Sequence, residues 1–297
     1  MKRILLMLSL LFVACDETTN PTDHNHSIFE EVTVLNLLKD NGMVLIPATD
    51  STFTFSDSTI GSISVTLKND FYIDSIETTQ KLYATIMDSI YEWYRDPLDW
   101  SKYNSGDSFP AYGVTWYQAV LFCNARSKFD GYDTAYSYDS ISWEICADTC
   151  MRIKGLKTTF ESDGYRLPTE AEWIYACQAT SVEEYFWGND TSLAKEYCWY
   201  QINSGNEVKE TGKKYPNQFG LYDILGNLEE YCNDIYSPFD SSILTDPTGP
   251  ETGSFIVKHG GAFYQPIGYQ NIAKRQKTNP ESSTNYTGFR TVRRPKK

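Results

Sequence analysis

Histidine is scarce in this chain of 297 residues: there are three, and His24 and His26 lie together in a polar N-terminal stretch. Only His259 remains for chemistry further along, which excludes zinc sites of the HExxH type. A phosphate-cradling P-loop, a GxGxxG dinucleotide turn and a GxSxG nucleophile elbow are also missing. Basic residues are outnumbered, with 26 Lys+Arg against 39 Asp+Glu and a formal net charge of -13. An acidic surface repels phosphate backbones, so the expected partners do not include nucleic acid. Internal repeats are absent, and no long apolar run follows residue 14.

What is present suits a folded domain. The chain is 41% hydrophobic and 15% aromatic, enough for a sizeable core and unlike a disordered or coiled-coil sequence. Its start, Met1-Lys2-Arg3, is basic, and Ile4 to Ala14 is an apolar run of signal-peptide length, too short for a stable span. Ala14 before Cys15 resembles a bacterial lipobox, which implies cleavage before Cys15, a lipid on its sulfur and attachment to a membrane. Residues 15–27 then read as a flexible polar tether. The expected location is the bacterial cell envelope, lipid-anchored, with the domain exported. Export permits disulfides. Six cysteines besides Cys15 allow 15 pairings. Cys146 and Cys150 are close enough in sequence to pair locally, and buried thiols are the alternative.

The spacing of Ile28, Val32, Leu35 and Leu38 predicts a short helix as a lead-in over 28–41, ahead of a main domain at 42–297. Apolar or alternating runs at 43–47, 52–55 and 70–74 predict strands. A helix is expected from Thr79 to about Tyr94. Thr115 with Gln118, and Thr169 with Glu172, are spaced as capping boxes, predicting helices that end near Gly131 and Gln178. The first of these should bury Trp116, Val120 and Cys123. A hairpin with an insertion is expected over 132–162. Turn residues crowd the chain after Gly188, leaving late strands at 255–257 and 288–292. The fold class is α+β and loop-rich.

Several segments, in this order, carry a family resemblance: Met43-Val44-Leu45-Ile46-Pro47, Phe71-Tyr72-Ile73-Asp74 with Glu77-Thr78-Thr79, and Gly113-Val114-Thr115-Trp116. Gly164-Tyr165-Arg166-Leu167-Pro168-Thr169-Glu170-Ala171-Glu172-Trp173 is the most specific, followed by Phe186-Trp187-Gly188-Asn189. Pro216-Asn217-Gln218-Phe219-Gly220-Leu221-Tyr222-Asp223, Gly226-Asn227, Gly260-Gly261 and Gly288-Phe289-Arg290 complete the series. Together, over about residues 42–294, they resemble the formylglycine-generating enzyme (sulfatase-modifying factor) family. The resemblance implies a C-type-lectin-like fold with two main helices and short antiparallel sheets.

It also implies where chemistry would lie. Family oxidases carry a Ser and two Cys after the Gly-Gly pair, and the thiolates bind Cu(I), oxidising a substrate cysteine to formylglycine. The matching positions here are Ala262, Gln265 and Gln270. A neutral amide is a poor ligand for a soft ion, so copper is not expected. The family's calcium segment falls on Gly226–Cys232. It implies a structural calcium held by the side chains of Asn227 and Glu230 and the carbonyls of Leu228 and Cys232, although Glu229 replaces a large aromatic. An Asn-capped helix turn is the alternative reading of this segment. Arg166, Arg290, Glu170 and Glu172 read as buried ion pairs or caps, His259 as a strand-end residue, and most aromatics as core. The expectation is a non-catalytic binding or surface-assembly module on a lipid tether, with a protein or glycan partner. The alternatives are an oxidase with altered ligands and a carbohydrate-binding lectin-like module.

Overall fold

The computed structural model describes residues 42–296 except 50–51, 58–60, 92–97, 99, 146–148 and 239–243. Cys15, the tether, the lead-in helix at 28–41 and Cys146 lie outside the described residues, as does the side chain of Cys150.

Four strands open the domain: β1 (Met43–Ile46), β2 (Phe53–Asp57), β3 (Gly61–Thr66) and β4 (Phe71–Asp74). β1 pairs antiparallel with β4, and β2 with β3. β1 and β4 are buried at three of their four positions each, so they read as continuous apolar runs. Helix α1 (Gln80–Ile90) starts where the Thr79 hydroxyl accepts from the Leu82 amide. Helix α2 (Trp116–Asp130) has the complete Thr115–Gln118 capping box and stops at Gly131, whose φ of 76° suits glycine. Trp116, Val120 and Cys123 are buried as expected, but so are neighbours on the other faces, including Leu121 and Phe122. This helix is wrapped on all sides rather than amphipathic.

Nested hairpins follow: β5 (Tyr136–Ser137) pairs with β8 (Lys157–Thr158), enclosing β6 (Ser140–Ile145) and β7 (Thr149–Lys154). Helix α3 (Glu170–Gln178) has the Thr169–Glu172 capping box, and a single turn, α4 (Ala194–Tyr197), comes later. The remaining strands are β9 (Glu229–Ile235), β10 (Leu244–Thr245), β11 (Ile256–His259), β12 (Gln276–Thr278), β13 (Thr287–Gly288) and β14 (Val292–Arg293). Four of them form a sheet in the order β12-β11-β9-β13, while β10 joins β3 and β2, and β14 closes onto the first sheet as β1-β4-β14.

Two features depart from the sequence reading. The sheets are not wholly antiparallel: β10 runs parallel to β3, and β13 parallel to β9. β9 is also a strand where a calcium loop or helix start was expected. Six of its seven residues are buried, charged ones included, so the alternation that marks a half-buried strand is missing.

Ion pairs sit inside this core. Arg290 and Glu230 are both fully buried, and Arg166–Glu172 and Arg126–Asp74 are nearly so. The reading of Arg166, Arg290 and Glu172 as buried pairs agrees with the structure. Removing one partner strands the other charge, which costs about 3–5 kcal/mol. Arg290→Ala should therefore lower Tm sharply at pH 7. A circular-dichroism melt coincident with wild type would refute the central role of this pair.

Candidate functional site at the Gly260–Gly261 turn

β11 ends at His259, and the chain then reverses through Gly260 (φ 95°) and Gly261 (φ 71°). A Cβ on Gly261 would lie 2.7 Å from the Tyr269 carbonyl oxygen, so the turn can only be this tight with glycine. Ala262, Gln265 and Gln270 follow, and all three are buried. The turn thus brings together the three sequence-expected positions.

Both glutamines hydrogen-bond within the protein, although Gln270 Oε1 has no protein partner. Gln265 Oε1 accepts the Ala262 amide at 2.8 Å, and its Nε2 donates to Glu229 Oε1 at 3.1 Å. Gln270 Nε2 donates to the Ala262 carbonyl at 3.0 Å. Glu229 accepts from Lys258 through its other oxygen, and Thr287 Oγ1 lies 3.3 Å from the same ammonium. The Lys258–Glu229 pair was not identified from the sequence. Its one legible sign was Glu229 itself, a carboxylate where the family places an aromatic. Identifying the partner needs the strand register, in which Lys258 pairs with Tyr231 and His259 with Glu230.

A copper site needs thiolates. The four described cysteines with described side chains, Cys123, Cys177, Cys198 and Cys232, are buried and unpaired. Burial raises the thiols of Cys123, Cys177 and Cys232 well above the usual range, and pushes Cys198 up to about 12. Buried thiols, not disulfides, are the state of these four, and they do not fit copper ligation.

Of the expected calcium ligands, the Asn227 and Glu230 side chains and the Cys232 carbonyl already have partners inside the protein. Asn227 Oδ1 accepts the Lys209 amide at 2.9 Å, while its Nδ2 donates to Glu77 at 2.8 Å. Glu230 accepts two nitrogens of Arg290, at 2.7 and 2.8 Å among their contacts, and the Trp173 indole at 2.8 Å. The Cys232 carbonyl accepts the Trp116 indole at 2.9 Å. Leu228 is tied through its amide to Glu77 at 3.2 Å. A cation at Glu230 would have to displace a guanidinium. Among the described residues, no group of three or more His, Cys, Asp and Glu side chains can hold a metal.

His259 is fully buried, stacked on Trp173 at 4.9 Å, with Nε2 2.7 Å from Glu170 Oε1. Glu170 also takes Arg275 in two hydrogen bonds, at 2.6 and 2.8 Å. His259, Glu170 and Arg275 thus form a buried cluster at the end of β11, in which His259 Nδ1 has no protein hydrogen-bond partner.

The arrangement has the fold of a known class, and the chain belongs to the sulfatase-modifying factor enzyme 1-like domain family, which matches residues 30–295. Among curated relatives, it is 30% identical over 230 residues to the chaperone protein LppX of Paenibacillus barcinonensis, covering 70% of this chain and 75% of that one. It is 36% identical over 152 residues to the formylglycine-generating enzyme of Thermomonospora curvata, which spans 44% of this chain and about half of that enzyme, 50%. Treponema denticola variable protein 1 superposes with a TM-score of 0.72 at 27% identity, covering 85% of this chain and 95% of that structure. CarF shares the fold alone, with a TM-score of 0.63 at 20% identity over 86% of this chain and 98% of that one.

Beside this turn, two carboxyls are set for pH dependence. Burial pushes Asp223 up to about 6, and its Oδ1 has no protein hydrogen-bond partner. Burial also raises Glu77 well above the usual range, with Asp223 and Glu230 adding to the effect. A carboxyl raised on folding stabilises the protein fully below its unfolded value, near 4, and that contribution is lost as pH rises through 6. Wild type should therefore lose on the order of 2 kcal/mol between pH 4 and 7 that Asp223→Asn keeps. Urea melts of both proteins at the two pH values test this, and parallel losses would refute the role of Asp223.

Proposed function

We propose that the protein is a non-catalytic binding module of the cell envelope, built on an oxidase-family fold and held to a membrane through lipidated Cys15. The observation that carries this reading is the replacement of the copper thiols by Gln265 and Gln270, with their amides hydrogen-bonded into the protein interior. Gln265 is further tied to Glu229, which Lys258 neutralises. Soft-ion ligation, oxygen activation and thiol oxidation have no residue to begin from at this position. The match to LppX, named a chaperone, supports a role in binding another exported molecule rather than in oxidising one. The apolar start ending at Cys15 supports the anchor. In the described residues no helix is long and apolar enough to cross a membrane.

Turnover tests the reading directly. The purified chain, supplied with Cu(I), oxygen and a Cys-x-Pro-x-Arg peptide, should leave the peptide's mass unchanged relative to buffer. Catalytic loss of thiol with gain of aldehyde would replace the binding reading with an oxidase that has altered ligands.

A further inference from the structure

A cleft of about 1080 Å³ lies against the segment that follows the Gly260–Gly261 turn. It runs beside β2, between the end of α3 and the segments around 180–189 and 268–274. We propose that this cleft is a binding site for a neutral oligosaccharide. The inference rests on the binding-module reading and gives that module its ligand class.

Three ligand classes are disfavoured by the lining. Glu183 and Glu184 face Lys274 as the only other charge, on a chain of net charge -13, so an anionic ligand is repelled. A wholly apolar ligand would cover Glu183, Glu184 and Lys274 without pairing their charges. An extended peptide would add to the free edge of β2, where it is the outer strand of β10-β3-β2. One β2 carbonyl is already taken, since Gln178 Nε2 donates to that of Thr54 at 3.1 Å.

The remaining chemistry suits a sugar. Phe53 and Tyr175, half-buried with ring centroids 5.0 Å apart, give the cleft an aromatic surface that can cover the C–H face of a pyranose. Around them stand planar amide and carboxylate groups, which pair with vicinal hydroxyls as donor and acceptor. They are held in place before any ligand arrives. Asn271 Nδ2 donates to Glu184 Oε1 at 2.7 Å, the Glu184 amide donates to Asn189 Oδ1 at 3.0 Å, and Asn189 Nδ2 donates to Glu183. The Ile272 amide donates to the Glu184 carbonyl at 3.1 Å, clamping the two walls together. Preorganised polar groups reduce the ordering cost that weakens binding of flexible, hydroxyl-rich ligands. Val182, 87% exposed, marks the rim.

Isothermal titration and saturation-transfer NMR on the purified full chain test the proposal. The probes are maltotriose, cellotriose, mannotriose and triacetylchitotriose, with sialyllactose as the anionic control and tetralysine as the peptide control. At least one neutral trisaccharide should bind, with affinity unchanged between low and high salt, since no charge is exchanged. Sialyllactose should bind at least tenfold more weakly. Val182→Trp, which fills the rim from an exposed position, and Asn271→Ala should each weaken binding tenfold or more while Tm stays within a few degrees. Absence of binding by all four neutral sugars overturns the proposal, as does binding that survives Val182→Trp. Salt-sensitive binding of tetralysine alone also overturns it, in favour of a basic peptide. The two readings fail separately: sugars that do not bind, with no peptide oxidation, sink only the ligand class, whereas oxidation of the Cys-x-Pro-x-Arg peptide sinks the binding module itself.

Discussion

The fold hangs on one buried carboxylate. Glu230 lies on β9, and its two oxygens are shared between the Arg290 guanidinium and the Trp173 indole. Arg290 comes from the segment between β13 and β14; its Nη1 donates to the Asp74 carbonyl, and its Nη2, shared with Glu230, to that of Tyr222. A single charge pair therefore joins the four-stranded sheet, the end of the first sheet, helix α3 and the Tyr222 loop. With little regular structure over 200–228, hydrophobic burial alone does not fix how these pieces meet. Burying two ions is costly unless every donor and acceptor is used, and here most of them are. The pair acts as a registration device: the chain can only satisfy it in one arrangement.

The same logic bears on the segment expected to hold calcium. A carboxylate in a Gly-Asn-x-x-Glu segment is compatible with a hard cation or with a guanidinium. The choice depends on which charge the fold brings to it from 60 residues away in sequence, Arg290 to Glu230. Asn227 is similar. Its amide bridges Glu77 and both backbone groups of Lys209, so it ties a loop to the start of β9. Local sequence shows the donor types but not their partners.

Legibility followed the same division. Helix boundaries at Thr79, Thr115, Thr169 and Gly131 were readable because caps are local chemistry, settled within four residues. β1 and β4 were readable as apolar runs. β9 was not, because a strand buried on both faces and carrying Glu229, Glu230 and Asp234 has no period to detect. β10 and β13, two residues each, exist only because β3 and β9 offer edges to pair with. At the candidate site, the loss of copper ligands was legible from residue identity, whereas the Lys258–Glu229 pair was visible only once β11 lay against β9.

That pair changes what the loss of two cysteines means. If Gln265 and Gln270 alone differed from the oxidases, restoring two thiols would be a plausible route back to a copper site. Glu229 makes the alteration deeper. A buried carboxylate requires a counter-charge, Lys258 supplies it, and Gln265 and Thr287 satisfy the remaining donors and acceptors around them. Placing a thiol at 265 removes the amide from Glu229 Oε1 and leaves that oxygen short of a partner in a dry interior. The network resists reversal one residue at a time, since each member is costly without the others. Gln265, Glu229, Lys258 and Thr287 thus make the residues beside this turn a hydrogen-bonded polar joint between β11, β9 and β13.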